Sequence, residues 1–350
     1  MLIFGKNKKV FLTGHTGFKG SWMSLWLIKA GAQVTGYSKD FPTTPSLFQD
    51  LKIDKDMDSI LADIRDQEKL EKSLIEAKPD IVIHMAAQPL VRSSYQIPVE
   101  TYMTNVMGTV HLFEAVRKSS TAKICVNVTS DKCYENQERL AGYKEDEAMG
   151  GYDPYSSSKG CAELVTSAYR RSFFQKEGKL LASGRAGNVI GGGDWALDRI
   201  VPDAIRAVLE NKDLVIRNPE ATRPWQHVLE PVGGYLLLAE KLFNEGAHYS
   251  EGFNFGPAHT DHCSVGLLLE KLNQQWDNRL KIQVQRDPNQ VHEAHYLSLD
   301  CSKANQKLQW QPRWNVDQAL QKTVEWVQAY EQSKSVRETC LMQIQNYEKF

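Results

Sequence analysis

Tyr155 and Lys159 stand four residues apart in Gly151-Tyr152-Asp153-Pro154-Tyr155-Ser156-Ser157-Ser158-Lys159. Asp153 is a good helix N-cap and Pro154 a good first helical residue, so the phenol and the ammonium project from one helix face. A nearby ammonium favours the phenolate and lowers a phenol pKa that is otherwise near ~10. Such a tyrosine can take a proton from an alcohol near neutral pH. Ser130, in Val128-Thr129-Ser130-Asp131-Lys132-Cys133-Tyr134, adds a hydroxyl at the end of an apolar run, with an acid and a second lysine directly after it. A third cluster, Thr13-Gly14-His15-Thr16-Gly17-Phe18-Lys19-Gly20, spaces its glycines as G-x-x-G-x-x-G. Glycines there let the backbone turn sharply and bring bare N–H groups close to a phosphate at a helix N-terminus. The spacing departs from the commoner dinucleotide fingerprint G-x-G-x-x-G.

These clusters need elements to hold them. Lys9–Thr13 reads as a strand, and Trp22, Leu25, Trp26 and Ile28 follow at helical spacing, with Gly31 as a helix C-cap. Further strands are predicted at 33–37, 59–63, 80–87, 123–128 and from Leu180 onward. The fourth, Asp80-Ile81-Val82-Ile83-His84-Met85-Ala86-Ala87, does not alternate, which suits a central parallel strand buried on both faces. Helices are predicted at 67–77, 100–118 and 155–174. That rhythm predicts an α/β doubly wound parallel (Rossmann) sheet. The expected organisation is a Rossmann domain over 1–190, with return segments around 225–260, and a smaller, less regular C-terminal substrate lobe over 191–350. Within that lobe, Gly191–Trp195 reads as a flexible loop, Ile200–Leu209 as a helix, and the charged stretch 331–350 as a solvated helix. In open α/β sheets ligands bind beyond the carboxyl ends of the strands. Gly14–Gly20, Ala86-Ala87-Gln88, Thr129–Lys132 and Arg185-Ala186-Gly187-Asn188 all fall there.

The bulk composition agrees with a large folded core: 350 residues, 41% hydrophobic, 24% charged and a formal net charge of −1. No global basic field would recruit nucleic acid or an acidic membrane. Six scattered cysteines without a C-x-x-C pair suit reduced thiols rather than a disulfide framework or zinc site. The first residues are too short in apolar run for a signal peptide, and no run approaches the ~20 residues of a membrane span. A cytoplasmic protein is expected. His227, His292 and His295 lack ligand spacing with acids or cysteines, so no metal is expected.

Together the glycine cluster, Asp63-Ile64, His84-Met85-Ala86-Ala87, Asn105 in Thr104-Asn105-Val106-Met107-Gly108-Thr109, and the Tyr155/Lys159 pair resemble the extended short-chain dehydrogenase/reductases. The resemblance covers most of the chain. It implies NAD as cofactor, with Gly14, Thr16, Gly17, Phe18 and Gly20 around the pyrophosphate and Asp63 and Ile64 at the adenine. It places Ala86, Ala87 and Asn105 along the same cofactor, Ser130 and Tyr155 on the reacting hydroxyl, and Lys159 on the nicotinamide ribose. Ser38 falls near the ribose-reading position, with Lys39 and Asp40 beyond it; Asp40 would favour NAD and Lys39 could tolerate a 2′-phosphate.

The tail Thr129–Tyr134 sorts the branches of that family. Epimerases of sugar nucleotides carry no acid after the Ser/Thr, whereas 4,6-dehydratases do, and here the pair is Asp131-Lys132. The tail resembles the bacterial members that act on CDP-glucose, as do Gly187–Trp195, Arg223-Pro224-Trp225-Gln226-His227-Val228 and His292-Glu293-Ala294-His295-Tyr296. That implies oxidation at C4, loss of water across C5 and C6, and reduction at C6. Asp131 would donate a proton to the departing 6-hydroxyl. Lys132 would take the C5 proton, or only order Asp131 or the substrate while water or Tyr155 takes it. Arg199 and Arg223 could meet a diphosphate bidentately, and Asn188 could hydrogen-bond it. Gln88, His227 and His292 complete the expected substrate contacts. A 4-epimerase, a dehydratase of another nucleotide sugar, and a dinucleotide-binding regulator without turnover are the competing readings. The resemblance also implies a homodimer, possibly a homotetramer, through helices 100–118 and 155–174, and a role in deoxysugar supply for a cell-surface polysaccharide.

Overall fold

The computed structural model describes residues 6–285 and 296–349. The apolar runs become β1 (Lys9–Thr13), β2 (Gln33–Ser38), β3 (Asp58–Leu61), β4 (Ile81–His84), β5 (Ile124–Val128) and β6 (Leu180–Ala186). The second half adds short pairs: β7 (Val189–Ile190) with β10 (Gln226–His227), β8 (Leu214–Ile216) with β13 (Ile282–Val284), and β9 (Thr222–Pro224) with β12 (His262–Ser264). It also returns β11 (Gly252–Phe255) to the main sheet beside β6. Among the described residues the main sheet has seven parallel strands in the order β11–β6–β5–β4–β1–β2–β3.

The sheet is buried on both faces, which explains the unalternating runs. Val10 and Leu12 point into one core, with helices α1 (Phe18–Lys29) and, later in the chain, α9 (Leu229–Glu245). Phe11 points into the other, with α3 (Gln67–Ala77) and α6 (Gly108–Lys118). Between these lie short α2 (Leu47–Asp50), α4 (Val91–Gln96) and α5 (Pro98–Tyr102), then α7 (Pro154–Tyr169) and α8 (Ile200–Leu209). The C-terminal part adds α10 (Val265–Gln275), α11 (Val316–Glu331) and α12 (Val336–Glu348). The segment read as one helix over 100–118 is two helices joined by a π turn at Met103–Met107, and a second π turn, Arg170–Phe174, ends α7.

β1 has β2 on one side and β4 on the other, so the winding reverses between them and a crevice opens at their carboxyl ends. A buried chain of polar groups pins this point. The Thr13 hydroxyl meets His84 Nδ1 at 2.7 Å and accepts from the backbone N–H groups of Met85 and Ala86. His84 Nε2 meets Thr109 on α6 at 3.1 Å, and burial holds the imidazole neutral, its pKa near 3. The strand therefore stops at His84, and Met85–Gln88 turn out over the crevice.

Two expectations fail. Gly191–Trp195 is not a flexible loop: all five residues are buried, and a Cβ on Gly192 would lie 1.9 Å from the Trp326 ring. The close approach of backbone to indole is what needs glycine there. Nor is 331–350 merely solvated, because α12 buries Val336, Cys340, Ile344 and Tyr347 and docks on the first helix. There Trp26 Nε1 donates to Glu348 at 2.9 Å.

Candidate active site

The crevice is a cleft of about 1690 Å³, beyond the ~1,000 Å³ upper range of a single small-ligand pocket, so it has room for two sizeable ligands. Its floor on one side is the glycine turn. Gly14 has φ +77°, and a Cβ there would lie 2.7 Å from the Ala86 nitrogen. A Cβ on Gly20 would lie 2.0 Å from the Gly14 carbonyl oxygen, so turn and helix touch backbone to backbone. Gly17 is the N-cap of α1 and no side chain caps it, which leaves the first-turn N–H groups facing the cleft. This is an anion seat of the kind a dinucleotide pyrophosphate needs, and the residues fit that group.

Thr16, Phe18, Ser38, Asp40, Asp63, Ile64, Ala86 and Ala87 also line the cleft. Some of these side chains are already engaged. Ser38 Oγ bonds His15 Nδ1 at 3.0 Å and accepts from the Thr16 N–H. The Thr16 hydroxyl donates to the Asp40 carbonyl at 2.6 Å. The Asp63 carboxylate is forked by Arg65, which holds its pKa below the usual range. The exposed Asp40 carboxylate is therefore the freer acid at this end, while Lys39 pairs with Glu100 at 3.2 Å. Asn105 is a correction: it does not line the cleft. Its buried amide accepts from the Gln88 N–H at 2.8 Å and donates to the Gln88 carbonyl and to Ser158 on α7. It braces the loop after β4.

Opposite the glycines, α7 starts as its sequence dictates, with Asp153 accepting from the Ser156 N–H at 2.9 Å and Pro154 in the first turn. Tyr155 and Lys159 both reach the cleft and both are buried. The Lys159 ammonium, however, sits 3.5 Å from the Val128 carbonyl, and desolvation rather than that ammonium dominates the phenol. Burial pushes Tyr155 up to about 12, opposed by its hydrogen bond with Ser130, and pushes Lys159 down to about 8, opposed by Glu163. Burial therefore outweighs the lowering of the phenol pKa expected from the i, i+4 lysine.

The tail after β5 leaves the sheet in a single 3₁₀ turn, Asp131–Cys133, capped by Ser130. Ser130 Oγ donates to Asp131 Oδ1 at 2.9 Å. Asp131 Oδ2 is buried and has no hydrogen-bond partner among the described residues, against Gly187 at the end of β6. A buried carboxyl oxygen without a partner is costly unless something else satisfies it. A ligand hydroxyl in the cleft would do so. Lys132 lines the same wall, and its ammonium has no partner among the described residues.

The substrate contacts expected from sequence divide. Gln88, Asn188, Arg199 and Arg223 line the cleft. Arg199 is already paired with Asp194 at 3.0 Å, and Arg223 donates to the Thr222 carbonyl. His227 is a correction: it is fully buried, packed edge-on against Trp22 and Trp314, with its pKa near 3. It is a fully buried residue of β10 and is not among the residues that line the cleft. His292 and His295 lie outside the described residues. Sequence reasoning missed Lys19, which lines the cleft in the first turn of α1 and feels Asp131, Asp194, Arg199 and Lys159. Its place inside the glycine turn was the available signal. Among the described residues no His, Cys, Asp and Glu cluster could hold a metal, and no helix is long and apolar enough to cross a membrane.

Residues 11–323 match the family model for GDP-mannose 4,6-dehydratase. A CDP-glucose 4,6-dehydratase of Salmonella typhimurium LT2 is 55% identical over 332 residues, covering 93% of this chain and 92% of that protein. The fold resembles a UDP-glucose 4-epimerase of Thermotoga maritima solved with UDP-glucose, with TM-score 0.80, 22% identity, and coverage of 92% and 99%. It also resembles a dTDP-glucose 4,6-dehydratase of Bacillus anthracis solved with NAD, with TM-score 0.76, 21% identity, and coverage of 93% and 98%.

Proposed function

This chain belongs to the GDP-mannose 4,6-dehydratase family, and we propose that it converts CDP-D-glucose to CDP-4-keto-6-deoxy-D-glucose with a retained NAD. One observation carries the reading. The Ser130–Asp131–Lys132 tail, with an acid whose outer oxygen has no partner among the described residues, faces the same cleft as Tyr155 and Lys159, in a chain 55% identical to a CDP-glucose 4,6-dehydratase.

Gly14, Gly17 and Gly20 and the α1 N-terminus would hold the pyrophosphate of NAD, Ile64 and Asp63 the adenine, and Lys159 the nicotinamide ribose. When bound, NAD+ supplies a reversible two-electron acceptor and a positive charge. Asp40, with Lys39 already paired to Glu100, favours a ribose without a 2′-phosphate. Tyr155, held by Ser130, removes the proton from O4 of the sugar as C4 is oxidised. The resulting 4-ketone acidifies the C5 hydrogen, and Lys132 at the cleft wall, without a partner among the described residues, takes that proton. Asp131 Oδ2 delivers a proton to the departing 6-hydroxyl, so water leaves. Reduction at C6, with Lys132 returning its proton to C5, closes a redox-neutral cycle. Gln88 and Asn188 from the part over 1–190, with Arg199 and Arg223 from the lobe over 191–350, would form the polar and cationic lining for the nucleotide diphosphate.

The apolar face shared by α5, the π turn and α7 exposes Val99, Met103 and Leu164. Two copies pairing through it would make the homodimer. The deciding experiment supplies CDP-glucose and NAD+ to the purified protein and follows the 4-keto product by its absorbance in base. Turnover is expected with CDP-glucose over dTDP-, UDP- and GDP-hexoses. No product from CDP-glucose, with turnover of another sugar nucleotide, overturns the substrate.

A further inference from the structure

Beneath the cleft lies a charged pair with no place in that mechanism. Glu163, one turn beyond Lys159 on α7, and Arg185, on β6, meet at 2.8 Å with side chains 4% and 6% exposed, and neither lines the cleft. A buried ion pair is often no more stabilising than apolar residues of equal volume, so stability alone does not account for it. Its hydrogen bonds do. Glu163 Oε1 accepts from the Thr129 hydroxyl at 2.5 Å, and Oε2 from Ser183 at 2.8 Å as well as from Arg185. Arg185 Nη1 donates to the Tyr134 hydroxyl at 2.7 Å and to the Glu145 carbonyl at 3.1 Å, and the Tyr134 hydroxyl donates to Asn254 Oδ1 at 2.7 Å.

Thr129 and Tyr134 are the two ends of the tail that carries Ser130, Asp131 and Lys132. We infer that the Glu163–Arg185 pair is a positioning device that clamps both ends of this tail and thereby sets Ser130 and Asp131 against Tyr155. Between its ends the tail is one short turn outside the main sheet; backbone bonds from the Thr129 N–H to the Gly184 carbonyl and from the Gly150 N–H to the Cys133 carbonyl anchor it, and the ion pair adds the side-chain bonds that fix Thr129 and Tyr134 themselves. Glu163 has a second effect, through charge. The titratable and charged groups facing Lys159 are Glu163 on its own helix, Cys133 on the tail, His84 on β4 and Lys19 on α1. Glu163 supplies the negative charge that opposes desolvation of the ammonium. The inference rests on the dehydratase reading for its turnover measurements only.

The test uses Glu163→Gln, which keeps the shape but removes the charge, and Thr129→Val, which releases one end of the tail and leaves the ion pair intact. Amide hydrogen exchange read by mass spectrometry over 129–134 is expected to speed up in both variants. In turnover of CDP-glucose, kcat is expected to fall by up to about 10²-fold with little change in KM, as for a small misplacement of reacting groups. The basic limb of the kcat–pH profile is expected to move down by roughly 1 unit in Glu163→Gln, because loss of the opposite charge lets the ammonium deprotonate earlier. It stays put in Thr129→Val. Wild-type exchange over 129–134 with a wild-type pH profile in folded Glu163→Gln overturns the inference. Should that variant not fold, wild-type exchange and kcat in Thr129→Val overturn it. A wild-type protein inert toward CDP-glucose defeats the dehydratase reading instead, and the exchange measurement still judges the clamp.

Discussion

Asp131→Asn separates the oxidation of the sugar from the loss of water. The amide keeps an oxygen for the 2.9 Å bond from Ser130. It puts an NH₂ where Oδ2 stands, without a partner among the described residues and so close to Gly187 that a Cβ there would lie 2.7 Å away. The substitution is isosteric, so packing is kept and the fold is expected intact. What disappears is the proton for the 6-hydroxyl. General acid catalysis contributes about 10²–10⁴-fold, or roughly 3–5 kcal/mol of barrier, and product formation should slow by that factor. The O4 proton is taken by Tyr155 and Ser130, which the substitution leaves in place, so oxidation at C4 should persist. A rapid-mixing experiment with CDP-glucose would then show near-ultraviolet absorbance of reduced cofactor building up and persisting, where the wild type shows only a transient. Wild-type product formation in Asp131→Asn would refute the acid role. Loss of the absorbance change in step with product would refute the division of labour between Asp131 and Tyr155.

Lys132→Ala should stop exchange of the C5 hydrogen with heavy water while oxidation at C4 continues; wild-type exchange and dehydration would remove lysine from the C5 step. Gly20→Ala forces a Cβ to within 2.0 Å of the Gly14 oxygen, where only backbone can give way. Such overpacking costs about 1–3 kcal/mol, and the variant should purify with less bound NAD and a lower Tm; unchanged NAD content would deny the seat its role. Burial pushes Glu230 up to about 7, where it accepts from the Trp314 N–H and the Tyr347 hydroxyl. A carboxyl raised in the folded state keeps its proton there while the unfolded chain has lost it. Stability therefore falls as pH rises from about 4.5 to about 7, by roughly 3 kcal/mol at most, and levels off above. Glu230→Gln should flatten that slope in urea titrations across the window, and an unchanged slope would assign it to other groups. Finally, sedimentation at micromolar concentration should show a dimer that Leu164→Asp dissociates; a wild-type monomer would refute pairing through α5 and α7.

Much of this protein was readable from residue order, and the readable parts share a physical cause. Unalternating apolar runs such as Ile81-Val82-Ile83 can be buried on both faces only in a parallel sheet with helices on each side. Asp153-Pro154 sets a helix start by local hydrogen bonding and a fixed φ, so Tyr155 and Lys159 had to share a face. The glycines sit where backbone must touch backbone. The rule that ligands bind beyond carboxyl strand ends then gathered Gly14–Gly20, Ala86–Gln88, Thr129–Lys132 and Gly187-Asn188 at one rim, and the cleft is lined by all four.

What needed tertiary structure is whatever depends on burial or on partners distant in sequence. His227 and Arg223 sit four residues apart in one conspicuous string, yet one is sealed between Trp22 and Trp314 and the other lines the cleft. Strand pairing of β10 with β7 decides that, and no local pattern encodes it. Asn105 was expected along the cofactor, but its bracing of Gln88 and Ser158, 17 and 53 residues away, was not legible. The i, i+4 spacing of Tyr155 and Lys159 was legible, but the balance of desolvation against charge that raises the phenol was not. Glu163 repeats that spacing once more along α7; the sequence put it on the right face, and only the approach of β6 supplied Arg185. Local chemistry determined which groups this chain could use. The folded interior decided which of them are free to use it, since the energy of a buried charge depends on neighbours that the chain brings from elsewhere.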